Sequence, residues 1–177
     1  MIRYIVLLVV FLIMLAIFRV GLDRDPSKLP SPLIDKPAPT YDLPTVRDPL
    51  ATVGSKDYDG QLVLVNIWAT WCVGCRQEHD YLLALAGKNE IPIYGINWRD
   101  HRDDALVWLE QLGDPYVASA YDEDGRVGID WGAYGAPETF LVDGDGTILH
   151  KRIGPMDEAI WQRDFLPKIV ARSGESR

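Results

Sequence analysis

The sequence predicts an α/β domain with a mixed sheet flanked by helices, carried behind an N-terminal membrane anchor. Three observations predict it. From residue 61 onward, apolar runs of strand length alternate with helical patterns in the order strand, helix, strand, helix, strand, strand, helix. Tyr4 to Phe18 (YIVLLVVFLIMLAIF) runs for fifteen residues without a charge. Both cysteines of the 177-residue chain, Cys72 and Cys75, fall where the first strong strand meets the first helix.

The elements follow in order. The apolar run covers about 22 Å as a helix, short of a hydrocarbon core of about 30 Å. Val20, Gly21 and Leu22 extend it, and Arg19 can snorkel. "FRVGLDRDP" offers no small-residue cleavage pattern, so residues 1–22 are expected to stay as an anchor. Basic residues flank both ends, so charge does not set the orientation. Residues 23–39 carry five prolines from Asp25 to Pro39 and read as a semi-stiff tether, leaving residues 40–177 as the domain. Short strand candidates after Thr40 are broken by Pro44 and Pro49.

"LVLVNIW" (62–68) and "IPIYGIN" (91–97) read as strands buried on both faces. Between them, residues 72–86 form a helix with Tyr81, Leu82, Leu85 and Ala86 inward. "RDDALVWLEQLG" (102–113) is an amphipathic helix stopped by Gly113. "YVASAY" (116–121) is a short strand, and residues 138–153 form a hairpin around Asp143 to Gly146. Asp157 caps a last helix through Arg172, kinked at Pro167.

The formal net charge is -8, with the acidic excess lying beyond residue 30. An acidic body repels nucleic acid and suits a basic partner. The cysteine chemistry is narrower. Two cysteines at i and i+3 on a first helical turn match disulfide geometry. Cys72 then sits where free N–H groups stabilise a thiolate. Cys75, one turn inward, fits a resolving role, and Trp71 can shield both sulfurs. A zinc site wants four ligands, and His79, His101 and His150 lack the spacing to supply them. An inert bridge closing so short a loop would constrain the unfolded chain little. Neither "DEDG" nor "DGDG" completes a calcium loop.

"WATWCVGCRQEH" together with "YGAPETFLVDGDGTI" resembles the CcmG/DsbE family, membrane-tethered thioredoxin-like proteins of cytochrome c maturation, over most of residues 36–172. The resemblance implies a thioredoxin-like fold with an added N-terminal hairpin, on the periplasmic side of the bacterial inner membrane. It implies a thiol:disulfide oxidoreductase, a specific reductant for the haem-attachment cysteines of apocytochrome c. It would act directly or through a subunit of the maturation complex. A membrane protein of the DsbD or CcdA type would recharge it. No metal or organic cofactor is implied. Cys72 would attack and Cys75 resolve, as a redox-active disulfide. Pro137 would be the cis-proline facing them, and Ala136 would pair with an extended substrate strand. Trp71 and Glu138 would border that groove, Glu138 as part of an acidic surface. Glu78, three residues after Cys75, would handle protons, because Asn66 stands where ordinary thioredoxins have a buried aspartate. The dipeptide Val73-Gly74 departs from relatives with a proline there, and Gly74 is expected to loosen the first turn. Two rivals remain: an anchored reductase for another client, such as copper-site assembly or disulfide repair, and a non-catalytic tethered adaptor.

Overall fold

A computed structural model describes residues 2–22 and 32–175 of the chain. Helix α1 (Ile2–Leu22) takes in the whole apolar run. Its 21 residues give a length of about 31 Å, enough for a hydrocarbon core. It is the one helix among the described residues that is long and apolar enough to cross a membrane.

Strand β1 (Asp42–Pro44) pairs antiparallel with β2 (Thr52–Gly54) as a small hairpin, followed by a 3-10 turn at Ser55–Tyr58. The main elements are β3 (Val63–Trp68), α2 (Val73–Gly87), β4 (Ile93–Trp98), α3 (Arg102–Leu112), β5 (Ala118–Asp122), α4 (Arg126–Asp130), β6 (Glu138–Val142) and β7 (Ile148–Ile153). The chain ends in α5 (Glu158–Ile160), one π turn (Trp161–Phe165) and α6 (Leu166–Glu175). The five-stranded sheet has the order β5-β4-β3-β6-β7. β3, β4 and β5 run parallel, and β6 and β7 are antiparallel to their neighbours.

β3 is buried on both faces because it is central and each face has its own core. Leu64 and Trp68 join Leu82, Leu85, Leu109 and Phe165 on one side. Val63, Val65 and Ile67 join Tyr41, Phe140 and Trp131 on the other. The small hairpin docks on β5 through Val46 N–H to Ser119 O at 2.8 Å. Arg102 closes the junction, donating to Val46 O at 2.9 Å. Of the expected tether, residues 23–31 lie outside the described residues. Leu33, Ile34 and Ala38 pack on the second core, and Asp35 N–H bonds Ile148 O at 2.9 Å.

Two local features differ from expectation. The turn after β5 continues into α4. There the buried Asp122 carboxylate accepts Gly128 N–H at 2.8 Å, and Gly125 turns the chain at φ 76°. Gly128 leaves room for the Trp98 indole, whose Nε1 a Cβ would meet at 2.4 Å. Asp157 caps the last helix as expected, accepting Ile160 N–H at 2.7 Å. Where the sequence suggested only a kink at Pro167, the structure adds a wide π turn (Trp161–Phe165) just before that proline.

Candidate active site

The site grows from the end of β3. The ladder stops at Trp68, buried Ala69 and half-buried Thr70 turn the chain, and Cys72 becomes the N-cap of α2 with φ −90° and ψ 110°. Its Sγ accepts the Cys75 N–H at 3.0 Å, so the sulfur itself caps the helix. Cys72 and Cys75 form a disulfide with Cα atoms 5.3 Å apart, and both are buried. A helix N-terminus aimed at Cys72 favours an anion there once the pair is reduced.

Opposite lies the loop before β6. The Ala136–Pro137 peptide bond is cis. Its proline packs directly on the cysteine turn: a Cβ on Gly74 would lie 2.8 Å from Pro137 Cδ and 3.3 Å from Pro155 Cγ. Gly74 was expected from the sequence to loosen the turn, and the structure gives it a further use. It lets two prolines close on it. Ala136 is half-buried against the same core as the cysteines. Trp71 is 54% exposed, with Nε1 donating to Arg99 O at 3.0 Å. Val73 is 75% exposed beside it.

About one helical turn after Cys75, a buried polar cluster gathers around Glu78. Glu78 is 1% exposed. Its Oε1 accepts from Asn66 Nδ2 at 2.9 Å, and its Oε2 accepts from Met156 N–H at 2.8 Å. The Asn66 amide also donates to Thr139 Oγ1 at 3.0 Å and accepts from the Tyr116 hydroxyl at 2.8 Å. Burial pushes the Glu78 carboxyl up to about 7, against the lowering pull of the Asn66 amide, the Met156 N–H and the Arg152 guanidinium. Burial also drives the Tyr116 phenol well above its ordinary range.

Glu138 is placed differently from expectation. It belongs to no acidic surface, being fully buried with a carboxylate oxygen 2.8 Å from Lys151 Nζ. The β6–β7 register puts Ile153 opposite Glu138, so Lys151 is a diagonal neighbour on the same face. Glu138 also accepts Tyr134 N–H at 2.7 Å, and Lys151 donates to Gly132 O at 2.8 Å. Together they pin the segment that leads into Pro137.

Thus Cys72, Cys75, Gly74, Ala136 and Pro137 come together, Glu78 follows about one helical turn after Cys75, Trp71 lies at the rim, and Glu138 is internal. The sequence reading missed Tyr116, Thr139, Lys151 and the Met156 N–H. Lys151 had a usable signal: in the sequence it alternates with the apolar Leu149 and Ile153. Among the described residues, no group of three or more His, Cys, Asp and Glu side chains gathers to hold a metal ion.

Two sulfurs 3 residues apart at a helix mouth, capped by a proline loop, can exchange electrons by swapping bonds with another sulfur. That makes the domain a thioredoxin-like thiol:disulfide oxidoreductase. The chain belongs to the DsbE family of thiol:disulfide interchange proteins, within the wider Redoxin family, whose model matches residues 34–164. The thiol:disulfide interchange protein DsbE of Allochromatium vinosum is 49% identical over 170 residues, covering 96% of this chain and 93% of its own. The DsbE of Pseudomonas aeruginosa is 46% identical over 158 residues, covering 89% and 87%. That of Escherichia coli K12 is 43% identical over 147 residues, covering 81% and 77%. Among solved structures, a Chlorobium tepidum protein described as a DsbE superposes with TM-score 0.65 at 27% identity, covering 76% of this chain and 94% of its own. A secreted thiol-disulfide isomerase from Corynebacterium glutamicum shares the fold, with TM-score 0.66 at 23% identity over 75% and 85%.

Proposed function

We propose that this chain is a membrane-anchored reductant of cytochrome c maturation, with its catalytic domain on the periplasmic side of the bacterial inner membrane. α1 would be the anchor, joined to the domain by a tether that ends where Leu33 meets the second core. The substrate would be a disulfide at the haem-attachment cysteines of apocytochrome c, or one formed with a maturation subunit. A membrane thiol:disulfide carrier of the DsbD or CcdA type would supply electrons.

In this mechanism the Cys72 thiolate attacks a substrate disulfide. A Cys72–substrate bond forms, the substrate S–S bond breaks, and one substrate thiolate leaves. The Cys75 thiolate then attacks Cys72 Sγ, forming the Cys72–Cys75 disulfide and releasing the second substrate thiolate. Two electrons pass to the substrate, and the donor returns the pair to dithiol. Glu78, with a carboxyl near neutrality, is suited to hold the proton that Cys75 gives up. Ala136, beside the cis-proline, would offer backbone groups to the substrate strand, with Trp71 at its rim.

The observation that carries this reading is the cysteine pair closed under Pro137 at the mouth of α2 in a chain of the DsbE family. Cys75→Ser, produced in cells, should leave the mixed disulfide with Cys72 unresolved. Recovery of apocytochrome c or a maturation subunit in that adduct is the expected result. Adducts with unrelated clients only would overturn the substrate assignment, while leaving the oxidoreductase chemistry intact.

A further inference from the structure

The turn that delivers Cys72 has no strand partner, because β3 ends at Trp68. Its own backbone supplies one bond, Cys72 N–H to Ala69 O at 3.3 Å. What fixes it comes from the loop between β4 and α3. Asp100 is 8% exposed, and its carboxylate is fully engaged. Oδ2 accepts Thr70 N–H at 2.7 Å and Asn97 Nδ2 at 2.8 Å. Oδ1 accepts the Thr70 hydroxyl at 2.6 Å and His101 N–H at 2.9 Å. Four donors on two oxygens match the capacity of a carboxylate, and an amide could not satisfy them. The next residue is tied to the same loop, since Trp71 donates to Arg99 O.

We propose that Asp100 is a positioning residue for thiol–disulfide exchange: through Thr70 it holds the Ala69–Cys72 turn so that Cys72 keeps its N-cap geometry and its sulfur stays aimed at the free N–H groups of α2. This rests on Cys72 being the attacking thiol. When the clamp is released, the sulfur swings off the helix axis and the reduced thiolate loses both the Cys75 N–H and the helix field. Charge alone acts the other way: removing a nearby carboxylate would favour a thiolate. A change in the disfavoured direction therefore reports position.

The test is the pH dependence of iodoacetamide alkylation of the reduced full chain in detergent, with the modified cysteine mapped by mass spectrometry. In Thr70→Val and Asp100→Asn the alkylation midpoint should rise by about half a pH unit, slowing alkylation about threefold below it. Thr70→Ser, which keeps the hydroxyl, should restore the native midpoint. Val142→Ala, a fully buried truncation at the far end of β6, serves as the control for general softening. Native or lowered midpoints in folded variants overturn the proposal, as does an equal rise in Val142→Ala. Should Asp100→Asn fail to fold, Thr70→Val, on a half-buried turn, decides alone. Alkylation at Cys75 in place of Cys72 would remove the premise, and the proposal with it.

Discussion

Two glutamates are fully enclosed in this domain, and their surroundings give them opposite characters. Glu138 meets a cation: Lys151 Nζ lies 2.8 Å away, with both side chains buried. Glu78 meets neutral donors, the Asn66 amide and the Met156 N–H, and burial lifts its carboxyl to about 7. A buried carboxylate with its counter-ion is a strut, costly to break from either side. A buried carboxyl bonded by neutral donors, whose burial outweighs the lowering pull of the Arg152 guanidinium, can take or release a proton near neutral pH. The partner, more than the depth of burial, separates the two. The strut holds the segment that leads into Pro137, and the titratable group stands about one helical turn after Cys75.

The largest test acts on the strut. Lys151→Met should cost about 3 to 5 kcal/mol of unfolding free energy, because it strands a charge in the core. Urea unfolding of the full chain in detergent measures it. Adding Glu138→Gln should recover most of that loss, since the stranded charge goes too. If Lys151→Met alone were nearly neutral, the two glutamates would not differ as argued.

The second test acts on pH. A folded value for Glu78 of about 7, against an ordinary 4.5, means the folded state holds the proton more tightly. The resulting stability is fully present below the ordinary value and is lost as pH rises to about 7. Across that window the oxidised protein should lose about 3 kcal/mol relative to Glu78→Gln, to within a factor of two. His79 acts in the opposite sense. Burial lowers its imidazole, so its contribution disappears as pH falls below its ordinary value. Comparing Glu78→Gln with the native chain at each pH removes that shared background. Parallel stability curves for the two would show that Glu78 does not titrate as an isolated buried acid.

Sequence patterns reached the two cases unequally, for a physical reason. The cysteine pair and the cap at Asp157 rest on neighbours a few residues away, and the β3 and β4 strands show as unbroken apolar runs, so local pattern carries them. Glu78 was singled out by its place on the same helix face as Cys75, but its burial is completed by a backbone N–H from Met156, in a different part of the chain. Glu138 was misplaced because the resemblance assigned it to an acidic surface, whereas its burial is set by residues far along the chain. Only the β6–β7 register brings Lys151 onto its face. The helix α4 went unseen because five residues show no period, and its start is organised by the Asp122 carboxylate. Gly74 was read from conformational freedom alone, and the approach of two proline rings to it comes from loops far along the chain.

The smallest effect comes from Tyr116→Phe, and it asks how far the titrating unit around Glu78 extends. The Tyr116 hydroxyl donates to Asn66 Oδ1 at 2.8 Å, and its ring stacks on Trp68 with centroids 5.4 Å apart. The substitution keeps the ring and leaves one buried carbonyl oxygen without its donor, at a cost of about 1 to 2 kcal/mol. The phenol is held well above its ordinary range by burial, so it stays protonated wherever Glu78 titrates. The loss should therefore be a constant offset from pH 4.5 to 7, leaving the slope set by Glu78 unchanged. A changed slope would mean that the hydroxyl orients the Asn66 amide toward Glu78, and that amide, carboxyl and phenol respond to protons as one group. An unchanged slope would confine the response to a single carboxyl, with Asn66 and Tyr116 serving only to hold it in place.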